Sequence, residues 1–378
     1  MHRQSLVPSP CPSPSERAFT PVFDGLCGGG DLGARPVATR AMRSRCELTC
    51  IAVVSLLVTA LSPQALAQEP FYKDKTISLI VGYSAGGGYD QYARMLARHY
   101  GRHIPGNPNV IVQNMPGAAS MTSVRYLDAT APKDGTVITT FDPGLITQVL
   151  TADKPVVNFA NFQWIGTLLR DIRICYAWGT TGIKTIADAH KRKEFLIGVT
   201  AKGSNAYVNG AILRNVLKVP VRQIAGYPGS AEQRMALERG ELEGNCGSWT
   251  AMPHDWIEQR KFYALLRFSE KRPDDMPADV PYVLDLAKSQ EDKGVIDILN
   301  SPGELGRPFI VARQVPAERV ATLRKALQAT LKDEGFLADA KKQNLLLDPV
   351  GGEEAEKIMK TIYASPPALI SKARAVLE

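Results

Sequence analysis

Histidine is scarce in this chain of 378 residues: there are five, and none lies beyond residue 254. A nucleophile–histidine triad on an α/β-hydrolase scaffold takes its histidine late in the chain, so that chemistry starts at a disadvantage. No Cys/His cluster has zinc-ligand spacing, and neither a metal nor a cofactor is expected. Long apolar runs are absent too. The longest candidate, Ile51 to Leu61, falls well short of the ~20 residues a membrane span requires. Charge of one sign is not concentrated anywhere. The formal net charge of +7 falls to +5 once residues 1–67 are set aside, because they hold six Lys/Arg and four Asp/Glu. The remaining basic residues are scattered, which argues against nucleic acid as a partner. No motif recurs at a period of 20 to 50 residues, which excludes a repeat architecture.

Four of the six cysteines (Cys11, Cys27, Cys46, Cys50) also lie before residue 68. That segment reads as a leader. Arg43 and Arg45 form a basic start, Ile51 to Leu61 an apolar core, and Ala65-Leu66-Ala67 an A-x-A cleavage site. We therefore expect a signal peptide over 42–67 and an exported, periplasmic mature chain. Cys50 precedes the apolar core, which does not suit a lipoprotein. Residues 1–41 are rich in Pro, Ser and Gly without apolar periodicity, so they are disordered or an upstream misreading of a chain that starts at Met42. Cys175 and Cys246 remain, either as a bridge or as two buried thiols. A bridge closing so long a loop would contribute roughly 4 kcal/mol on the chain-entropy model.

After Gln68, strand-like and helix-like segments alternate, the signature of α/β layering. The strands are expected at Ile77–Val81, Val110–Gln113, Val137–Phe141, Ile172–Ala177, Phe195–Val199, Leu242–Cys246, Tyr263–Phe268 and Pro308–Val311. Helical patterns include Thr122–Asp128, Tyr207–Leu217, Ser230–Glu238, Ala317–Leu331, Gly335–Lys342 and Glu353–Tyr363. About 310 residues are too many for one small core and suit two lobes.

The most informative stretch is Thr76 to Tyr100. A short apolar run enters a loop of small residues, Ser84 to Gly88, and the loop opens a helix. Backbone N–H groups in such a loop can approach a ligand closely, and the helix start favours negative charge. Three motifs compete for it. The G-x-G-x-x-G dinucleotide fingerprint fails at its second glycine, and no acid follows about 20 residues on. A P-loop fails because Gly88 is followed by Tyr89. Gly82-Tyr83-Ser84-Ala85-Gly86, however, is a literal G-x-S-x-G on a strand-turn-helix, so a secreted serine hydrolase with Ser84 as nucleophile is the alternative.

Several motifs in order resemble the tripartite tricarboxylate transporter receptors, the Bug family of periplasmic solute-binding proteins. They are Ala85-Gly86-Gly87-Gly88-Tyr89-Asp90, Asn114-Met115-Pro116-Gly117-Ala118 and Pro132-Lys133-Asp134-Gly135-Thr136, then Lys202-Gly203-Ser204-Asn205, Gly226-Tyr227-Pro228-Gly229 and Arg239-Gly240-Glu241-Leu242-Glu243-Gly244. The resemblance implies a two-lobed periplasmic binding protein of type II, a Venus flytrap with two crossover hinge strands. Lobe 1 would be 70–172 plus 264–378, and lobe 2 would be 173–263. It also implies a non-catalytic receptor for a small organic carboxylate, a monomer serving membrane transport subunits of a tripartite tricarboxylate transporter or reporting to a sensor. Departures are local: Ala85 stands where proline is common, Gln113 where glutamate is, and Ala119 where glycine is.

The expected ligand-binding residues are Tyr83, Ser84, Ala85, Gly86, Gly87 and Asp90 on the first loop, and Gly203, Ser204 and Asn205 facing them from the second lobe. Tyr227 and Trp249 are expected to wall the cleft. Ser204 also fits as a helix N-cap. Asp90 is expected to act on the ligand through water, since two carboxylates in direct contact repel. His99 and His103 read as surface histidines, and Arg94 and Arg98 as a solvated helix face.

Overall fold

The computed structural model describes residues 69–378, and the leader segments read as 1–41 and 42–67 lie outside the described residues. The first sheet begins with β1 (Thr76–Val81), whose Ile77, Leu79 and Val81 are wholly buried. It pairs in parallel with β2 (Asn109–Asn114) on one side and β3 (Val137–Thr140) on the other. Parallel neighbours require crossovers, and these are helices. The first is α1 (Gly88–Tyr100), which buries Tyr92, Met95, Leu96 and Tyr100 and runs out at Gly101; the second is α2 (Met121–Ala129). Two further strands, β4 (Gln163–Thr167) and β10 (Pro308–Val311), complete the order β2-β1-β3-β10-β4, with β10 antiparallel to both neighbours.

The second sheet repeats this plan with β5 (Arg173–Trp178), β6 (Phe195–Gly198), β7 (Val221–Ile224), β8 (Gly244–Ser248) and β9 (Phe262–Arg267), in the order β7-β6-β8-β5-β9. Strand β6 is parallel to β7 and β8, and β5 is antiparallel to β8 and β9. Cys175 and Cys246 sit opposite one another on β5 and β8 and are joined by a disulfide across a sequence separation of 71 residues.

Residues 168–172 carry the chain from β4 to β5, and the segment before β10 carries it back. The two crossings are hydrogen-bonded to each other, Leu169 N to Gly306 O at 3.4 Å and Asp171 N to Gly303 O at 3.0 Å. Gly306 must lack a side chain there, because a Cβ would lie 2.8 Å from both Asp171 Cβ and Leu169 O.

The packing divides the chain otherwise than the expected boundaries of 70–172 plus 264–378 and 173–263. Strand β9 runs past residue 263, and two later helices, α8 (Gln290–Asn300) and α12 (Pro367–Leu377), pack on the second sheet. Their Val295, Ile296, Leu299 and Ala373 share one buried cluster with Phe195, Ile197 and Leu266. Tyr207 Oη anchors the chain end by donating to Leu377 O at 2.7 Å. The reason is amphipathic: an apolar face finds the nearest uncovered sheet, wherever the chain has come from. Between them, α9 (Ala317–Thr330), α10 (Glu334–Lys342) and α11 (Gly352–Tyr363) stay with the first core.

Candidate functional site

The carboxyl ends of β1 and β3 face those of β6 and β8, where open α/β sheets place their ligands. Between them lies a cavity of about 90 Å³. From the first sheet's side it is lined by Tyr83, Gly87, Gly88, Tyr89 and Asp142, and from the crossings by Asp171, Arg173 and Arg307. The second sheet's loops and α6 (Ser230–Glu238) add Thr200, Ser204, Ser230, Gln233, Arg234 and Asn245.

Four of these charges are buried: Asp142, Asp171, Arg173 and Arg307 are 3–8% exposed. Asp171 holds the arginines at the hinge end, with Arg173 Nη1 at 3.2 Å and Arg307 Nη1 at 3.6 Å from its Oδ2. Its other oxygen accepts from Ser248 Oγ at 2.5 Å. The Arg307 guanidinium lies 4.3 Å from the Tyr89 ring centre, a cation–π stack. Gly88 makes this possible, since a Cβ there would sit 2.9 Å from Arg307 Nη2. Burial works against the Arg307 charge, but Asp171 and the neighbouring tyrosines hold its pKa above the ordinary arginine value. Burial pushes the Asp142 carboxyl up, a rise that Arg173, Tyr83 and the N–H groups of Gly144 and Asn205 only partly offset.

The lining is rich in donors without partners. Arg173 Nε, Arg307 Nε, Gln233 Nε2, Thr200 Oγ1 and Tyr89 Oη are buried and bond nothing among the described residues. Native proteins rarely leave such groups unmet unless a ligand or water serves them. Three of the five can only donate, so the complementary ligand is an acceptor, and the arginines make it an anion.

The sequence-derived residues fall into three groups. Tyr83, Gly87 and Ser204 line the cavity. Tyr83 Oη donates to Asp142 Oδ2 at 2.7 Å, and Ser204 caps α5 (Asn205–Ala211) by accepting from Tyr207 N at 3.2 Å. Ser84, Gly86 and Asn205 instead tie the two sides together. Ser84 Oγ donates to Glu232 at 2.9 Å, Gly86 O accepts from Arg234 Nη2 at 3.1 Å, and Asn205 N donates to both oxygens of Asp142 at 3.1 and 3.2 Å.

The rest are elsewhere. Ala85 is exposed, and Gly203 packs against Gln148. Tyr227 rests on the core of the second sheet. Trp249 is 3% exposed, donates to Asp275 at 3.0 Å, and borders a separate, wider recess of about 730 Å³. Asp90 does not face the cavity. Its carboxylate accepts from Gly86 N, Arg94 Nε and Asn114 Nδ2, each at 2.9 Å. Arg94 is therefore paired rather than simply solvated. Arg98 and His99 both reach Asp339, and His103 reaches Asp333, acids brought in by and beside α10 that no local pattern announces.

Asp142, Asp171, Arg173, Arg307, Gln233 and Arg234 escaped the sequence reading. A signal existed: Asp142, Arg173 and Arg307 each stand at the end of an apolar strand, where a charge is either a cap or a site. Nothing supports the hydrolase alternative. Ser84 Oγ is bonded to a carboxylate, and none of the described histidines reaches it.

No protein-family model matches the chain. A Cupriavidus necator protein described as a UPF0065 protein in the gbd 5′ region is 36% identical over 247 residues, 62% of this chain and 71% of that one. Among solved structures, the periplasmic binding protein BugD superposes with a TM-score of 0.66 at 21% identity, over 81% of this chain and 98% of BugD. MatC from Rhodopseudomonas palustris with bound malate superposes at 0.62 and 18% identity, over 80% and 99%. The fold is that of the periplasmic binding proteins, and with the UPF0065 relative it establishes that the chain belongs to the Bug family of solute-binding proteins.

Proposed function

We propose that this protein is an exported, non-catalytic receptor that captures a small organic carboxylate in the cavity between its two sheets. The carrying observation is the set of five buried, unpartnered polar groups around the cavity, with Arg173 and Arg307 at its hinge end. A carboxylate offers the lone pairs these donors lack. Contacts from Ser84, Gly86 and Asn205 to the opposite side hold the cavity shut, so a captured ligand is withdrawn from water and its bonds strengthen. MatC, which shares the fold, is described with bound malate. The signal peptide expected over 42–67 would export the chain to the periplasm. There a monomeric receptor would hand its ligand to membrane transport subunits, and it needs no cofactor to do so.

Thermal-shift screening of C2 to C8 mono- and dicarboxylates, followed by calorimetry, tests this. A ligand at a hundred times its dissociation constant should add about 2.7 kcal/mol of stability. Failure of every carboxylate to bind, with native mass spectrometry revealing a co-purified cation or neutral sugar, would overturn it.

A further inference from the structure

The charged side chains lining the cavity are three arginines, Arg173, Arg234 and Arg307, and two aspartates, Asp142 and Asp171. The surplus is one positive charge. Asp171 is committed to the arginines and to Ser248. Asp142 lies on the first sheet's side, within electrostatic reach of Arg173 but held by a different set of hydrogen bonds. Its Oδ1 accepts from Gly144 N at 2.9 Å, its Oδ2 from Tyr83 Oη at 2.7 Å, and both face Asn205 N. No arginine is bonded to it. It is a buried carboxylate, 5% exposed, on the wall of a site built to hold a carboxylate.

From this we infer that Asp142 is a specificity-determining residue that restricts the receptor to ligands with a single carboxylate. One carboxylate placed against Arg173 and Arg307 neutralises the surplus. A second on the same ligand leaves the closed cavity with net negative charge. In a cavity this small it also lies close to Asp142, where water cannot screen the repulsion. Asp142 already takes the Asn205 N–H, which a second carboxylate would otherwise compete for. The fold thus supplies its own anion at that end.

This rests on the carboxylate reading of the cavity, and matched probe pairs keep the two separable. Each diacid from malonate to adipate is compared with its monoamide (malonamate, succinamate, glutaramate, adipamate), which has the same length and one charge fewer. Calorimetry is run on the full mature chain and on Asp142→Asn and Asp142→Ser, with melting temperatures to establish folding. In the unaltered protein the monoamide of any binding pair should bind tighter than its diacid by about tenfold or more. In the variants that ratio should fall toward one, chiefly through a gain for the diacid. A purely structural role for Asp142 would weaken both members alike and leave the ratio where it was. Diacid preference in the unaltered protein, or a ratio the variants do not move, overturns the inference while leaving the receptor reading intact. The unaltered protein decides the first point even if neither variant folds. If no member of any pair binds, the carboxylate reading falls and this inference falls with it.

Discussion

Ser84 and Glu232 meet across the cleft: the serine Oγ, on the loop that follows β1, donates to a carboxylate oxygen in the first turn of α6 at 2.9 Å. The same serine's N–H donates to Pro228 O at 3.3 Å. The residue that looked most like a nucleophile is therefore part of the closure. Replacing it by alanine removes a charge-assisted bond but keeps the backbone contact. Such bonds are worth about 1.5–3 kcal/mol when buried, and less at a partly exposed site. Ser84→Ala should thus lower ligand affinity severalfold, up to about tenfold, with little change in melting temperature. An unaltered affinity would mean that closure does not depend on this pair. Stoichiometric labelling of Ser84 by a fluorophosphonate would reinstate the hydrolase.

Arg307 should matter more. It is 3% exposed, stacked on Tyr89, and one of two cations neutralising Asp171. Arg307→Met leaves that carboxylate with Arg173 alone and removes a donor from the cavity. Breaking a buried pair costs about 3–5 kcal/mol when nothing else compensates, so the loss of stability should fall toward the lower end. Affinity should drop by about thirtyfold or more. Arg307→Lys keeps the charge without the planar stack and should lie between the two on both scales. Equal affinity in all three proteins, measured by calorimetry at matched temperature, would place the ligand elsewhere.

Much of the fold was legible because strands buried on both faces announce themselves. All eight expected strands are present, and Pro308–Val311 matches to the residue. The two missed are instructive. Strand β4 carries Gln163, Gly166 and Thr167, and β7 carries Arg222 and Gln223, so neither reads as apolar or alternating. Tertiary pairing makes them strands. Site residues were harder for the same reason. Loops that offer backbone donors leave a composition signal, and that signal points to Gly87 and Ser204, which line the cavity. Arg173 and Arg307 stand where the two crossings meet β5 and β10, 134 residues apart in sequence, and only the pairing of those crossings brings them to one carboxylate. Asp90, expected to act on the ligand through water, is absent from the cavity lining. Its position at the first turn of α1 was read correctly, but Asn114, at the end of the neighbouring β2, could not be foreseen as its partner.

Acid should loosen the contact between α1 and α10 only at low pH, after it has reached the raised Asp142 carboxyl in the cavity. Partial burial works against the Asp339 charge, yet hydrogen bonds from His99, Arg98 and Gln343 bring its pKa down from 3.8 to about 2. A carboxyl lowered on folding contributes stability above its unfolded pKa and loses it as pH falls through the folded value. The contribution of Asp339 should accordingly be complete at pH 5 and fade between pH 3.8 and about 2. Melting curves of the unaltered protein and Asp339→Asn should therefore differ at neutral pH and converge across that window. A gap that persists at pH 2 would assign the effect to packing rather than charge.

The last test concerns Asp90, which accepts from Gly86 N, Arg94 and Asn114 and is absent from the cavity lining. These bonds fix the glycine loop to the end of β2, and they hold the Asp90 pKa below the ordinary aspartate value although burial opposes them. Asp90→Ala strands three donors at once, of which the Gly86 N–H and the Asn114 amide lie in partly buried surroundings. The cost of leaving buried donors unmet is about 1–3 kcal/mol. Asp90→Asn retains one acceptor oxygen but presents an N–H₂ to Arg94 or Asn114, so it should cost less than alanine and more than nothing. Affinity should follow only weakly in both, since the residue positions the loop without touching the cavity. The expected pattern is thus a fall in melting temperature, alanine more than asparagine, with dissociation constants within about a factor of five of the unaltered protein. The reverse pattern, stable variants that have lost their ligand, would put Asp90 on the ligand itself.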